Sequence, residues 1–284
     1  IPQAAVTGSV TNDNDVLERY IEKVWQLSGL TGDFSALRIA VDAGNGMNGH
    51  TLPKLLGRLH GAHVEELYWD LDGRFPNHEA NPVKTETLDE LRDVMKKHQC
   101  HVGFAFDGDG DRLGVVTKEG NIIYPDRQLM LFAEDVLRRS PGANVIYDVK
   151  STRNLAPWIR QHGGQPIMAR TGHSFIKAKM KETGAALAGE MSGHVFFKER
   201  WYGFDDGLYA GARLLEILSR SDDPSAVLNA LPNAVSTPEL NIPLAEGEHY
   251  ALITRLQASA QFTGADEVIT LDGLRVEYPD GFGL

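Results

Sequence analysis

Short apolar runs alternate along the chain with stretches whose apolar residues recur at helical spacing. Residues 37–43, 63–69 and 101–106 form such runs and predict strands. Apolar residues at helical spacing over 51–61 and 85–99 predict helices between these strands, and the acids near the start and lysines near the end of the second suit the helix dipole. This order of strands and helices is typical of an α/β unit with a parallel or mixed sheet.

The alternation then begins again. After a hairpin with its turn at Glu119 and Gly120, the pattern predicts a second series of elements. These are helices over 126–139, 151–162, 173–183 and 204–219, with strands over 144–149, at the end of 163–170 and at 185–190. Two successive β/α units of about 100 residues each imply two α/β domains. From about residue 234, two proline-containing strands, a helix over 248–260 and a strand pair predict a third, incomplete α+β domain.

Composition narrows the functional classes. The chain has 284 residues, 42% hydrophobic and 24% charged, as expected of a soluble globular protein with two or three domains. A net charge of -11 argues against a nucleic-acid partner. No apolar run approaches the roughly 20 residues of a membrane span. Cys100 is the only cysteine, which favours a reducing cytoplasmic compartment.

Neither end of the sequence resembles a finished terminus. The chain does not begin with Met, has no secretory signal pattern, and stops just after a strand-like run. We therefore interpret it as a part of a longer protein.

A glycine-rich stretch, GNGMNG at 44–49, follows the first predicted strand and precedes a helix. It matches the dinucleotide fingerprint, with an acidic stretch further on, and so allows a nucleotide-dependent oxidoreductase. Glycines serve any tight strand-to-helix turn equally well. A pyrophosphate at this sheet edge would also have to coexist with several carboxylates, which favours the structural role.

Three aspartates crowd the loop after the strand over 101–106, in the sequence FDGDGDR. Asp107, Asp109 and Asp111 repel one another, and a hard divalent cation with oxygen ligands relieves that repulsion. An EF-hand would need Gly and Glu where this chain has Arg112 and Lys118, so that motif is excluded. The pattern favours a Mg²⁺ site with room for phosphate oxygens over a solvated acidic turn, with Arg112 facing the same phosphate.

Polar loops also follow three consecutive predicted strands in the second half. The loop DVKSTR carries Lys150, RTGHSFIK carries His173, and GEMSGH carries Glu190, Ser192 and His194. Each residue alone is equally compatible with a solvated surface or a helix cap. Because loops at one sheet edge converge, the group indicates a site for a phosphorylated sugar, with carboxylate and hydroxyl for its hydroxyls and cations for its phosphate.

At this point the motifs resemble a known family, the α-D-phosphohexomutases. The resemblance rests on FDGDGDR followed by LGVV, on GEMSGHVFFKERWYGFDDG and on NIIYPDRQLMLFAEDV, and it extends over essentially the whole chain. It implies two consecutive mixed-sheet α/β domains of the phosphohexomutase type followed by a partial α+β domain.

The resemblance also implies roles for particular residues. Asp107, Asp109 and Asp111 would bind Mg²⁺ with Arg112 beside them. Glu190 and Ser192 would hold sugar hydroxyls. The remaining residues would line the cleft and assist phosphate or proton handling, and these are Lys150, His173 and His194.

The family has four domains, and this chain departs from that pattern. Its segments would be 1–18, the end of the first domain with a linker; 19–121, the metal-binding domain; 122–233, the sugar-binding domain; and 234–284, an incomplete fourth. The phosphoserine loop of the family, similar to Thr-Ala-Ser-His-Asn-Pro, does not occur in the sequence. Its final phosphate-binding loop is also missing. We therefore predict that the chain alone is inactive.

For the complete protein, the resemblance implies an intramolecular phosphotransferase, an isomerase. It would move phosphate reversibly between the 1 and 6 positions of mannose or glucose phosphate, through phosphoserine and a hexose 1,6-bisphosphate. Three other functions stay open at this stage: a Mg-dependent phosphatase with an aspartate nucleophile, a sugar-phosphate sensor, and the oxidoreductase suggested by GNGMNG. The pattern favours neither hexose and indicates no oligomeric state.

Overall fold

The protein was analysed as a computed structural model that describes residues 8–237, 240 and 242–284. Three separate sheets follow one another along the chain, the first two mixed and the third antiparallel. Among the helices in these ranges, none has the combination of length and apolarity needed to cross a bilayer.

The first sheet has three parallel strands followed by two antiparallel ones, in the order β2-β1-β3-β4-β5. Its strands are β1 (Arg38–Asp42), β2 (His63–Leu67), β3 (Val102–Phe106), β4 (Leu113–Thr117) and β5 (Ile122–Ile123). Four helical segments accompany it: α1 (Val16–Ser28), α2 (Asn48–Leu56), a 3₁₀ turn (Thr85–Leu88) and α3 (Asp89–His98). Every residue of β3 is buried, as expected of a parallel strand covered on both faces.

The second sheet repeats this plan, in the order β7-β6-β8-β9 with only β9 antiparallel. Its strands are β6 (Asn144–Asp148), β7 (Gln165–Ala169), β8 (Leu187–Gly189) and β9 (Val195–Phe197). Its helices are α4 (Pro125–Arg139), α5 (Leu155–Gln161), α6 (His173–Thr183), α7 (Gly207–Leu218) and α8 (Pro224–Asn229). Pro125 opens α4 with Asp126 in its first turn and two arginines in its last, which suits both the missing N–H and the helix dipole.

The C-terminal part contains a helix and a small antiparallel sheet. These are α9 (Glu248–Ser259), β10 (Glu267–Ile269), β11 (Arg275–Tyr278) and β12 (Gly281–Gly283). The helix and the strand pair agree with the prediction. The two proline-containing strands expected before α9 are not formed at residues 234–237, 240 and 242–247, while 238, 239 and 241 lie outside the described residues. Proline lacks the N–H that a sheet ladder needs.

The two mixed sheets share one continuous apolar core, which runs from Phe104 in β3 through Leu214 in α7 to Val145 in β6. A buried ionic cluster fastens α7 to α4 beside this core. Arg213 is fully buried, and its Nη2 lies 2.9 Å from Glu199 and 3.2 Å from Asp135. Since a buried charge is tolerated only when paired, this cluster fixes the packing of the two helices.

Several predicted boundaries differ from the structure. The helix expected over 51–61 begins earlier, at Asn48, and ends at Leu56. The helix expected from 151 begins only at Leu155, because the Ser151 hydroxyl binds Asp148 and the Thr152 amide binds Asp126. Local side-chain bonds of this kind compete with helix formation. The sequence interpretation also missed α1, α8 and β9, although the apolar residues of α1 recur at helical spacing.

Candidate active site

The aspartate loop folds around its first member. Asp107 directly follows β3 and is fully buried. Its carboxylate accepts N–H bonds from Gly110 and Arg112, both at 3.1 Å, and a side-chain bond from Arg112 Nε at 2.5 Å. Gly110 has φ +84°, a left-handed conformation that glycine adopts without strain. The loop is therefore curled rather than extended.

The curl brings the three carboxylates together. One oxygen each from Asp107, Asp109 and Asp111 lies within 4.8 Å of the others. Burial and the neighbouring charge of Asp107 raise the pKa of Asp109. A cluster of carboxylate oxygens at this spacing, whose charges disfavour one another, fits a hard divalent cation such as Mg²⁺.

The glycine-rich turn at 44–49 packs against the backbone of the aspartate loop. A Cβ on Gly46 would lie 2.8 Å from the carbonyl oxygens of Asp107 and Gly108, so only glycine fits there. The Met47 amide donates to the Gly108 carbonyl at 2.9 Å, and the Gly46 amide to Ala43. These amides are thus engaged within the chain, which supports the structural role for the turn.

The predicted GEMSGH loop, residues 189–194, forms the hairpin between β8 and β9. Glu190 is buried, its Oε1 accepts the Gly172 N–H, and its Oε2 lies 3.2 Å from His194 Nδ1. The Ser192 hydroxyl is 2.8 Å from the same nitrogen. Glu190, Ser192 and His194 therefore form one hydrogen-bonded group.

His194 joins the two loops electrostatically. Its Nε2 lies 3.3 Å from Asp111 Oδ1, opposite the side that faces Glu190. Burial disfavours the charged ring, but the hydrogen bonds to Asp111 and Glu190 outweigh burial and raise the pKa of His194 to about 9. The raised pKa favours the protonated, positively charged imidazole between Asp111 and Glu190.

The main chain joins the loops as well. Arg112 and His194 form an antiparallel bridge, and the Leu113 amide donates to the Gly193 carbonyl at 3.3 Å. On the other side of the aspartate loop, the Gly207 amide donates to the Gly110 carbonyl at 3.2 Å. The aspartate loop and the 189–194 hairpin therefore lie side by side in a single site.

His173 lies next to this junction. It is the first residue of α6, its side chain is about half exposed, and its ring centre lies 6.0 Å from that of His194. Two residues that the sequence interpretation missed accompany it. Lys177 Nζ is 3.1 Å from His173 Nδ1 and 2.9 Å from Asp205 Oδ1, and Asp205 approaches Asp111 and His194. Lys177 follows His173 by one helical turn, and that spacing was the available signal.

Lys150 is an exposed residue on the loop after β6, and Asp148 connects this loop to the other two. The buried Asp148 carboxylate accepts hydrogen bonds from the Ser151 hydroxyl at 2.7 Å, the Thr171 hydroxyl at 3.2 Å and the Met191 amide at 3.3 Å. Each donor belongs to a different predicted loop. One carboxylate thus holds the Lys150, His173 and Glu190 loops at the same sheet edge.

Sequence comparisons show which known proteins the chain is similar to. The family description "Phosphoglucomutase/phosphomannomutase, alpha/beta/alpha domain II" matches residues 18–120, and domain III of the same family matches residues 124–235. A phosphoglucomutase of Neisseria meningitidis serogroup A is 66% identical over 249 residues, 87% of this chain and 54% of that protein. A phosphomannomutase/phosphoglucomutase of Pseudomonas aeruginosa is 52% identical over 282 residues, 99% of this chain and 60% of that protein.

A structural comparison gives the same result. The crystal structure of a phosphoglucomutase/phosphomannomutase family protein from Burkholderia thailandensis superposes with a TM-score of 0.87 at 60% identity, covering 95% of this chain and 57% of that one. The chain thus spans little more than half the length of these relatives. Two domain matches, close relatives and a shared fold of the phosphohexomutase type confirm the resemblance: the chain belongs to the phosphoglucomutase/phosphomannomutase family.

Proposed function

We propose that the complete protein moves phosphate reversibly between the 1 and 6 positions of glucose or mannose phosphate. The observation that carries this proposal is the backbone bridge between Arg112 and His194. It places a carboxylate cluster suited to a metal directly beside polar groups suited to a sugar. Phosphoryl transfer needs this combination, because its catalysis consists mainly of positioning and charge stabilisation.

In this proposal Asp107, Asp109 and Asp111 hold Mg²⁺, which neutralises charge on the transferring phosphoryl group. The three carboxylate oxygens within 4.8 Å of one another support this assignment. Arg112 lies beside these carboxylates, where its guanidinium would face the phosphate. Its Nε binds Asp107, and its Nη1 lies 3.3 Å from Asn81 Oδ1, so the guanidinium is held in place next to the cluster.

Glu190 and Ser192 would bind sugar hydroxyls, and the cationic groups would bind phosphate. His194 has a pKa raised to about 9, so it serves as a positive charge or proton donor rather than as a base at neutral pH. We therefore assign proton acceptance from the attacking hydroxyl to His173, and we place Lys150 among the cations that bind phosphate. Lys177 adds a further positive charge next to His173.

The phosphoserine and the hexose 1,6-bisphosphate intermediate belong to the proposal for the complete protein. The 284 residues contain no Ser-His-Asn sequence, so we propose that this chain alone binds Mg²⁺ and hexose phosphate without mutase turnover. The family matches at 18–120 and 124–235 support the proposed metal-binding domain over 19–121 and sugar-binding domain over 122–233. The assignment of 1–18 to the end of a first domain and of 234–284 to an incomplete fourth domain stays a prediction. A cytoplasmic location stays a prediction from the single cysteine.

The decisive test replaces Asp109 by Asn. In this chain we expect Mg²⁺ affinity, measured by titration calorimetry, to fall at least about tenfold, because one of three anionic ligands is lost. In the complete protein, conversion of glucose 1-phosphate in the presence of the bisphosphate should fall with it. Asp93→Asn, at an exposed position on α3, is the matched control. Equal Mg²⁺ affinity in the Asp109 variant and the wild type would reject the metal site.

The competing phosphatase hypothesis requires an aspartate free to attack phosphorus. A phosphatase of this type would form a covalent aspartyl-phosphate and bind beryllofluoride at the aspartate loop. We expect the ¹⁹F spectrum of the chain with Mg²⁺ and beryllofluoride to show no bound species.

A further inference from the structure

The C-terminal sheet docks onto the loops of the second sheet through one buried arginine. Arg275, the first residue of β11, is only 1% exposed. Its Nη1 donates to the carbonyl of Val149 at 2.5 Å and to that of Ser151 at 2.6 Å. These two carbonyls belong to the residues on either side of Lys150. The guanidinium therefore grips the main chain that carries this lysine.

The same guanidinium is itself held on two further sides. Glu277 Oε1 lies 2.7 Å from both Nε and Nη2 of Arg275, which balances the buried charge. The ring of Phe282 covers its face, with Cζ 3.7 Å from the ring centre. Salt bridge, stacking and two carbonyl acceptors fix a side chain that would otherwise sample many rotamers.

Two more hydrogen bonds join the C-terminal part to the loops that carry His173 and Lys150. Asp272 Oδ2 accepts the Thr171 N–H at 2.9 Å, next to the His173 loop. Arg153 Nη1 donates to the Tyr278 carbonyl at 3.0 Å. The C-terminal part thus touches the loops that carry Lys150 and His173.

We propose that Arg275 is a positioning residue for hexose phosphate binding, which fixes the main chain on both sides of Lys150 and makes the position of that lysine depend on the docked C-terminal sheet. This inference rests on the proposed function for its ligand. The contact of Arg275 with the main chain of residues 149–151 does not depend on which ligand the site binds. Because neither carbonyl that Arg275 contacts belongs to a residue proposed to touch substrate, Arg275 acts through the loop rather than on the phosphate.

The test compares Arg275→Met with wild type in this chain by hydrogen–deuterium exchange. We expect the amides of residues 149–153 and 171 to exchange at least about tenfold faster in the variant, because the carbonyl anchors are lost. Affinity for glucose 1-phosphate, measured by calorimetry, should fall about tenfold, while Mg²⁺ affinity stays unchanged. Arg255→Met, at an exposed site on α9, is the control and should alter none of the three.

A general loss of structure would weaken Mg²⁺ binding together with sugar binding, so the split between the two ligands separates positioning from folding. Arg275→Lys keeps the charge but not the fork, and we expect intermediate exchange of the same amides. If the Met variant does not fold, the Lys variant decides. Wild-type exchange rates over 149–153 in the folded variants overturn the proposal. If the wild type binds Mg²⁺ but no hexose phosphate, the proposed function is wrong. The exchange rates then decide by themselves whether Arg275 fixes the main chain around Lys150.

Discussion

The two mixed sheets are built on the same plan but present different chemistry. In each, a central parallel strand ends in a buried aspartate, Asp42 in β1 and Asp148 in β6. In each, the third parallel strand is followed by an antiparallel one, and the hairpin between them carries side chains of the candidate site. The hairpins are 107–112 and 190–194, and the two lie against each other through Arg112 and His194.

The partners of the two aspartates show what differs. Asp42 Oδ2 lies 2.9 Å from the His78 ring, a partner that becomes cationic. Asp148 accepts from two hydroxyls and one backbone amide, all neutral. The shared topology thus places equivalent hairpins next to each other, and their different side chains give the two hairpins different chemistry. The first sheet gathers the carboxylates of the proposed metal site, while the second gathers the polar and cationic groups that we propose to bind a phosphorylated sugar.

We expect the largest change in stability from a substitution in the loop after the central strand of the first sheet. Only the first sheet relies on a glycine there, since Gly46 packs against the backbone of the aspartate loop. Gly46→Ala should lower the free energy of unfolding by about 2 kcal/mol, because the added Cβ has no room, and should weaken Mg²⁺ binding. Urea denaturation and calorimetry measure both effects.

Gly73→Ala is the control for that experiment, because a Cβ there meets no atom within 4 Å. We expect its stability and Mg²⁺ affinity to match the wild type. A Gly46 variant with the stability and metal affinity of the control would show that the turn does not support the aspartate loop.

A smaller effect should distinguish the two buried aspartates. Asp148→Asn turns an NH₂ group toward hydrogen-bond donors, at a cost of about 1–3 kcal/mol. Burial raises the pKa of Asp148, so loss of its charge offsets part of that cost. Glucose 1-phosphate affinity should fall with Mg²⁺ affinity unchanged. Asp42→Asn should do the reverse, since its partner His78 belongs to the loop whose Asn81 contacts Arg112. Identical ligand profiles for both variants would contradict this division of roles.

The smallest effect concerns pH. The hydrogen bond to Asp42 exceeds the opposing effect of burial and raises the pKa of His78 to about 9. Because the folded-state pKa lies above the unfolded value of about 6.5, the pair stabilises the fold fully below pH 6.5 and loses that contribution as pH rises through 9. The stability difference between wild type and His78→Asn should therefore shrink by about 1–2 kcal/mol from pH 6 to pH 10. The hydrogen bonds that Asp148 accepts in the described part of the structure come from neutral donors, so its substitution should show no such pH dependence. A stability difference that stays constant between pH 6 and pH 10 would contradict the proposed His78–Asp42 ion pair.

Much of the fold was predictable from the sequence because its signals are local. The buried strand before Asp107 and the helix His173–Thr183 follow from apolar periodicity over a few residues. Short or unusually placed elements such as β9 and α8 were missed, since three to six residues carry too little periodicity. The Lys177–Asp205 pair was missed because its members meet only when α6 packs beside the loop before α7.

The sequence by itself determined the family, the mixed α/β fold and the residue types of the candidate site, because these depend on motifs and periodicity within short segments. Only the tertiary structure decided how the segments meet. The bridge from Arg112 to His194, the contacts of Asp111 and Glu190 that raise the pKa of His194, and the hydrogen bonds of Arg275 to the Lys150 loop each depend on residues that the folded chain brings together. Hydrogen-bond geometry and burial set these contacts, and both arise only when the sheets pack against each other.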